Sequence, residues 1–242
     1  GVEYSGLVLN TRGVERAIAA GLDCIDVSVS PNDEQSAANT GMSMTEARTQ
    51  AREMLRTAIA AGCSVRAGVQ VVFGFREPGD VPLHDVLALL DDLVSHGATS
   101  ISLADSTGMA DPRAIAHTVA AVRNVTGTVP IVLHLHDTRG MGLANVVEGM
   151  RQGITRFDSS LGGMGGCPFI AGATGNIPTD DTAYMLAQMG IHTGVDHHAV
   201  SVIARRLAQT LGRRFDGKLQ ALAAATRTTV RTADPSQPGR LL

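Results

Sequence analysis

Short β-rich runs alternate with amphipathic helical stretches on a period of about 30 residues, and this constrains the fold more than any other feature. The β-rich runs occupy residues 4–10, 25–30, 64–73, 99–104, 130–136 and 155–160. Helices are predicted over Thr11–Gly21, Met44–Ala61, Val81–His96 and Asp111–Val125, then over 140–152, Thr179–Met189 and Asp196–Leu211. Local punctuation supports the boundaries. Ser43 and Glu46 have the spacing of a capping box, Thr11 reads as an N-cap, and Gly21, Gly62, Gly97 and Gly153 stand where helices stop. Residues 31–41 read as a polar loop. Strand–helix alternation of this kind builds parallel βαβ units.

Nearly every β-rich run ends in polar residues: Asn10, Ser30, Arg76, Asp105, His136 and the glycine-rich loop around Cys167. A barrel gathers its site at the carboxyl ends of all its strands, whereas an open doubly wound sheet concentrates chemistry at one switch point. No glycine-rich dinucleotide fingerprint follows the first run. The expected fold is therefore α/β, a TIM (β/α)8-type barrel with six of its eight strands in this chain. Residues 1–225 form the catalytic barrel in this reading, and 226–242 a loose C-terminal tail.

The 242 residues are 44% hydrophobic and 18% charged, enough for one sizeable soluble domain with a well-buried core. A formal net charge of -3 leaves no basic footprint for a nucleic acid. No apolar run reaches membrane-spanning length, so no membrane association is expected. Cys24, Cys63 and Cys167 lack metal-knuckle spacing and are odd in number, which fits a reducing, cytoplasmic setting. Cys24 and Cys63 sit in apolar surroundings and read as core.

The chemistry concentrates between Ile131 and Asn176. His134 and His136 lie two apart in IVLHLHDTRG, after the apolar run Ile131–Leu133. Residues two apart on a strand share a face, so both imidazoles aim at one point. Asp137 or a backbone carbonyl is the expected orienting acceptor. Further on, Cys167 and Asn176 sit in the glycine-rich DSSLGGMGGCPFIAGATGN. Two same-face histidines beside a loop thiol suit metal-assisted chemistry, although a lone strand histidine is more often an ordinary hydrogen-bonded residue.

The stretches ISLADSTG (101–108), HLHDTRGMGLAN (134–145), DSSLGGMGGCPFIAGATGN (158–176) and TDD…YMLAQMGIHTGV (179–195) resemble the hydroxymethylglutaryl-CoA lyases, within the metal-dependent barrel lyases and synthases. The Gly-Gly-Cys-Pro loop is the specific part. His-x-His alone fits the whole superfamily. The resemblance implies retro-Claisen cleavage of 3-hydroxy-3-methylglutaryl-CoA, or a close 3-hydroxyacyl-CoA, to acetyl-CoA and a 3-keto acid such as acetoacetate. It implies His134, His136 and Asn176 as ligands of Mg²⁺ or Mn²⁺, and Cys167, His134 and Asp105 as catalytic residues. The expected partners are an acyl-CoA substrate and further copies of the chain, in a homodimer or larger homo-oligomer.

The chain departs from that family in two places. GFREPGD follows the third run where the lyases usually show a Cys-Pro-Tyr-type loop. Arg76 in that loop is expected to pair with Glu77 or Asp80, the alternative being a carboxylate or the CoA phosphates. The family's first two strands, the first bearing an Arg-Asp pair, have no counterpart here. Roughly 50–60 further N-terminal residues carrying that pair are therefore expected in the natural protein. Two other readings stand beside the lyase: a condensing acyltransferase of the isopropylmalate or homocitrate synthase type, and a non-catalytic CoA-binding barrel remnant.

Overall fold

A computed structural model describes residues 2–165 and 175–222. Six strands form one sheet: β1 (Ser5–Val8), β2 (Cys24–Val29), β3 (Ser64–Val69), β4 (Ser100–Asp105), β5 (Ile131–Leu135) and β6 (Arg156–Asp158). They pair in chain order, every pair parallel. The helices between them are α1 (Thr11–Ala19), α2 (Asp33–Thr40), α3 (Met44–Ala60), α4 (Leu83–Ser95), α5 (Pro112–Thr126) and α6 (Gly142–Arg151). After β6 come a 3₁₀ turn (Leu161–Gly163), α7 (Thr179–Gln188), α8 (His197–Thr210) and α9 (Lys218–Ala221). Parallel strands joined by helices, in sequential order, make a curled half-barrel. The tail expected from residue 226 and the loop cysteine Cys167 lie outside the described residues.

Period-two alternation sorts each strand into two faces. Ile25, Val27, Val65, Ala67, Val69, Ile101, Leu103, Leu133 and Leu135 are fully buried and join the hydrophobic cluster with α3, α4 and α5. Burying each larger aliphatic side chain contributes roughly 1.5–3 kcal/mol. The alternate positions, Asp26, Ser28, Arg66, Gly68, Ser102, Ala104, His134 and Asp158, line a cavity on the inner face. On the outer layer, the Asp92 carboxylate of α4 ties α3 in place, accepting from Arg48 Nε at 2.7 Å and Arg52 Nη2 at 2.7 Å.

Two local expectations change. Residues 33–40 are a helix, where a polar loop is read from composition. Asn32 caps it through Gln35 N at 2.9 Å, and Gly41 ends it with a left-handed φ of 72°. Its weak amphipathicity hid it, because it lies over the rim of the barrel and not on the core. The N-cap of α1 is Asn10, not Thr11: Asn10 Oδ1 accepts from Gly13 N at 2.9 Å. The Ser43–Glu46 capping box is formed as read. Cys24 is buried and Cys63 partly so.

Candidate active site

The inner face encloses a cavity of about 620 Å³ at the carboxyl ends of the strands. β5 delivers His134 inward, and the chain leaving β5 delivers His136 beside it, Nε2 to Nε2 at 3.3 Å. On the far side of His134, Nδ1 lies 3.2 Å from Asp158 Oδ2, its register partner on β6. The other Asp158 oxygen accepts from Arg66 Nη1 at 2.9 Å. Arg66 also grips Asp26, its register partner on β2, through Nε at 2.5 Å and Nη2 at 3.1 Å. A continuous run Asp26–Arg66–Asp158–His134–His136 thus lines the interior.

These contacts fix the electrostatics. Burial alone would raise Asp158, but His134 and Arg66 outweigh it and hold the carboxyl below its usual range. Burial likewise opposes the Arg66 charge, and the two aspartates outweigh it. His136 is 6% exposed, and burial, then the neighbouring His134, pushes its pKa down to about 4. It is therefore a neutral imidazole at physiological pH, the form that ligates metals. With two carboxylates against one guanidinium, the described wall is net negative before any ligand enters.

Asn176 completes this corner. His136 and Asn176 form an antiparallel bridge, with Ile177 N bonded to Leu135 O at 3.1 Å and Asp137 N to Gly175 O at 2.9 Å. Asn176 Nδ2 donates to Met164 O at 3.0 Å, which leaves Oδ1 buried without a hydrogen-bond partner among the described residues. The neutral His136 imidazole beside His134, an amide oxygen without a partner among the described residues, and two carboxylates against one guanidinium fit a hard or borderline divalent cation. No three His, Cys, Asp or Glu side chains converge as a preformed metal cluster among the described residues. A cation held by the two imidazoles would need the amide oxygen or a substrate oxygen as well.

The expected site residues separate here. His134, His136 and Asn176 come together. Asp105 does not reach the cavity: it is 1% exposed, on the helix-facing side of β4, and accepts from Met109 N at 2.8 Å and Ala110 N at 3.2 Å. Burial pushes it up to about 6 against those amides. Asp137 does not orient a histidine either. Its Oδ1 accepts from Gly142 N at 2.8 Å, at the start of α6, and Asp158 serves His134 instead. Arg76 pairs with Glu34 on α2, while Asp80 accepts from Phe75, Arg76 and Glu77 amides inside its own turn. Asp26, Arg66 and Asp158 escaped notice in the sequence. The signal was there: charged residues at inward positions of otherwise apolar strands.

Sequential parallel strands, with a polar cavity at their carboxyl ends, place the molecule in the class of β/α-barrel folds. The chain belongs to the HMGL-like family, whose model matches residues 5–207. It is 36% identical over 213 residues to the hydroxymethylglutaryl-CoA lyase YngG of Bacillus subtilis, covering 88% of this chain and 71% of that protein. The 3-hydroxy-3-isohexenylglutaryl-CoA/hydroxymethylglutaryl-CoA lyase of Pseudomonas aeruginosa is 33% identical, over 88% of this chain and 71% of that one. An HMG-CoA lyase from Acinetobacter baumannii, solved with coenzyme A and 3-methylmalate, superposes with a TM-score of 0.86 at 31% identity. That match covers 95% of this chain and 74% of the other.

Proposed function

We propose that the chain is a carbon–carbon lyase that cleaves 3-hydroxy-3-methylglutaryl-CoA, or a close 3-hydroxyacyl-CoA, to acetyl-CoA and a 3-keto acid. The observation that carries this reading is the 3.3 Å approach of the His134 and His136 Nε2 atoms inside the polar cavity. The family relationship supports it. The two substrates in the Pseudomonas relative's name differ in the C3 branch, so that branch is left open for this chain.

His134, His136 and Asn176 would hold a divalent cation, Mg²⁺ or Mn²⁺, which when bound stabilises negative charge on substrate oxygens. The remaining tasks fall to protein groups. The C3 hydroxyl loses its proton as the C2–C3 bond breaks, and the bonding pair passes to C2 as a thioester enolate. With Nδ1 held by Asp158, His134 has Nε2 alone for either task, to ligate the cation or to take the hydroxyl proton, and in the second case Asp158 offsets the positive charge that the proton brings. Asp158 is itself fixed by Arg66 and cannot swing away. The enolate then takes a proton at C2, the task assigned to the Cys167 thiol from outside the described residues. Asp105 acts at a distance in this scheme, by holding the turn after β4 that carries Ser106 into the cavity wall.

Acetyl-CoA release tests the reading. Chelated protein supplied with 3-hydroxy-3-methylglutaryl-CoA should be silent and should recover on adding Mg²⁺ or Mn²⁺. Full turnover in exhaustive chelator sinks the metal assignment. No turnover with any 3-hydroxyacyl-CoA under either condition sinks the lyase.

A further inference from the structure

Across the cavity from the histidine pair stands a wall of neutral amide and hydroxyl groups. Gln35 and Asn39 lie one turn apart on α2 and so present one face. Gln70 follows β3, and Ser28 is on β2. Gln70 Oε1 accepts from Gln35 Nε2 at 2.6 Å and from Asn39 Nδ2 at 3.2 Å, and Gln70 Nε2 donates to Ser28 Oγ at 2.9 Å. All four residues line the cavity.

Their hydrogen-bonding capacity is not spent. Each carboxamide nitrogen carries two hydrogens and each oxygen two lone pairs, yet every amide nitrogen here makes one bond among the described residues. Gln35 is 4% exposed, and its Oε1 is buried without a partner among those residues. Beside the wall, Gly68 leaves the floor bare: a Cβ there would come within 3.2 Å of Ser28 Oγ. Directly after Gln70, Val71 adopts a left-handed φ of 48°, a strained conformation for a β-branched residue, and its N–H is held by Ser106 Oγ at 3.1 Å. Strain of this kind clusters at active sites and ligand clamps.

We propose that Ser28, Gln35, Asn39 and Gln70 form a specificity subsite for a neutral hydrogen-bonding branch, a hydroxyl, on the C3 carbon of the acyl chain. The proposal rests on the lyase reading above and names the branch left open there. A hydroxyl offers one donor and two acceptor positions, so it can accept from the unused N–H groups of the wall and donate to Asn39 Oδ1 or Ser28 Oγ. A carboxylate accepts only, and the wall has no cation to meet it, since Arg66 is committed to Asp26 and Asp158. A methyl would cover the unpaired groups without satisfying them.

The test compares 3-hydroxy-3-(hydroxymethyl)glutaryl-CoA with 3-hydroxy-3-methylglutaryl-CoA on the full chain with Mg²⁺. The ratio of kcat/KM should favour the hydroxylated thioester by at least about 10-fold, since a polar site rejects an analogue that lacks the hydroxyl. In Gln35→Leu and Gln70→Met the ratio should fall to one or below. A merely structural role for the wall would lower both rates and keep the ratio. A wild-type ratio at or below one, or an unchanged ratio in both variants, overturns the subsite. Should neither thioester be cleaved, the lyase reading fails separately. Calorimetric titration of the two free acids then decides the subsite: it stands if the hydroxylated acid binds tighter and falls if the two bind alike.

Discussion

Asp26 and Arg66 face each other as register partners on neighbouring strands, and the guanidinium held there reaches across the inner face, past β4 and β5, to Asp158 on β6. The inward residues of β4 that it passes, Ser102 and Ala104, are small. An ion pair that begins between adjacent strands therefore ends as a strut across the curl of the sheet, and it supports the histidine centre from behind.

Arg66→Met should be the most destabilising single change at the site. It leaves Asp26 and Asp158 facing a partly buried space without their common cation, and breaking such a network costs about 3–5 kcal/mol. Urea unfolding at neutral pH should show the loss. A midpoint equal to the wild type would mean that the strut carries no stability.

Asp158→Asn should separate orientation from stability. The amide keeps the size of the side chain but removes the charge that fixes the His134 ring. Mn²⁺ affinity should fall by roughly 10–100-fold, read by calorimetric titration. Unchanged affinity would show that His134 needs no partner at Nδ1.

Cys167→Ala should lower turnover by roughly 10²–10⁴, the range for loss of a general acid, while Mn²⁺ affinity stays as it was. Steady-state acetyl-CoA release and the same calorimetry check both halves. Wild-type rates would remove the thiol from the reaction.

Asp105 makes stability depend on pH. Burial raises its folded pKa to about 6 from an ordinary value of 3.8, so the folded state holds the proton more tightly than the unfolded chain. Its contribution is complete below the unfolded value and is lost as pH rises through 6, a change of at most about 3 kcal/mol. Asp105→Asn still offers an oxygen to Met109 N and should show a flatter stability profile between pH 4 and 7. Parallel wild-type and variant curves in that window would show that Asp105 ionises normally.

The strands and their parallel order were legible because apolar runs of fixed period and glycine stops are local signals. So was the shared aim of His134 and His136, which follows from their spacing. What escaped was side-dependent. Arg66 and Asp26 sit inside runs read only as β-rich strands, and alternation residue by residue is what marks them as inward. α2 escaped because a helix covering a barrel rim needs no apolar stripe. Asp105 shows how position along a strand and facing can part. A strand-end carboxylate reads as a site residue from its position, but the pleat turns it toward the helices and the following turn claims both oxygens.

The His136–Asn176 bridge bears on how this chain can change over time. Asn176 N bonds Gly165 O at 3.0 Å, so the two ends of the segment 166–174 meet at one stem, stitched to β5. A segment whose ends are already joined can be lengthened at small cost, about 0.6 kcal/mol for each doubling of a flexible loop. Insertions and replacements between those ends should leave the His136–Asn176 corner in register. The stem lets descendants exchange the sequence between its two ends without rebuilding the strands it is stitched to.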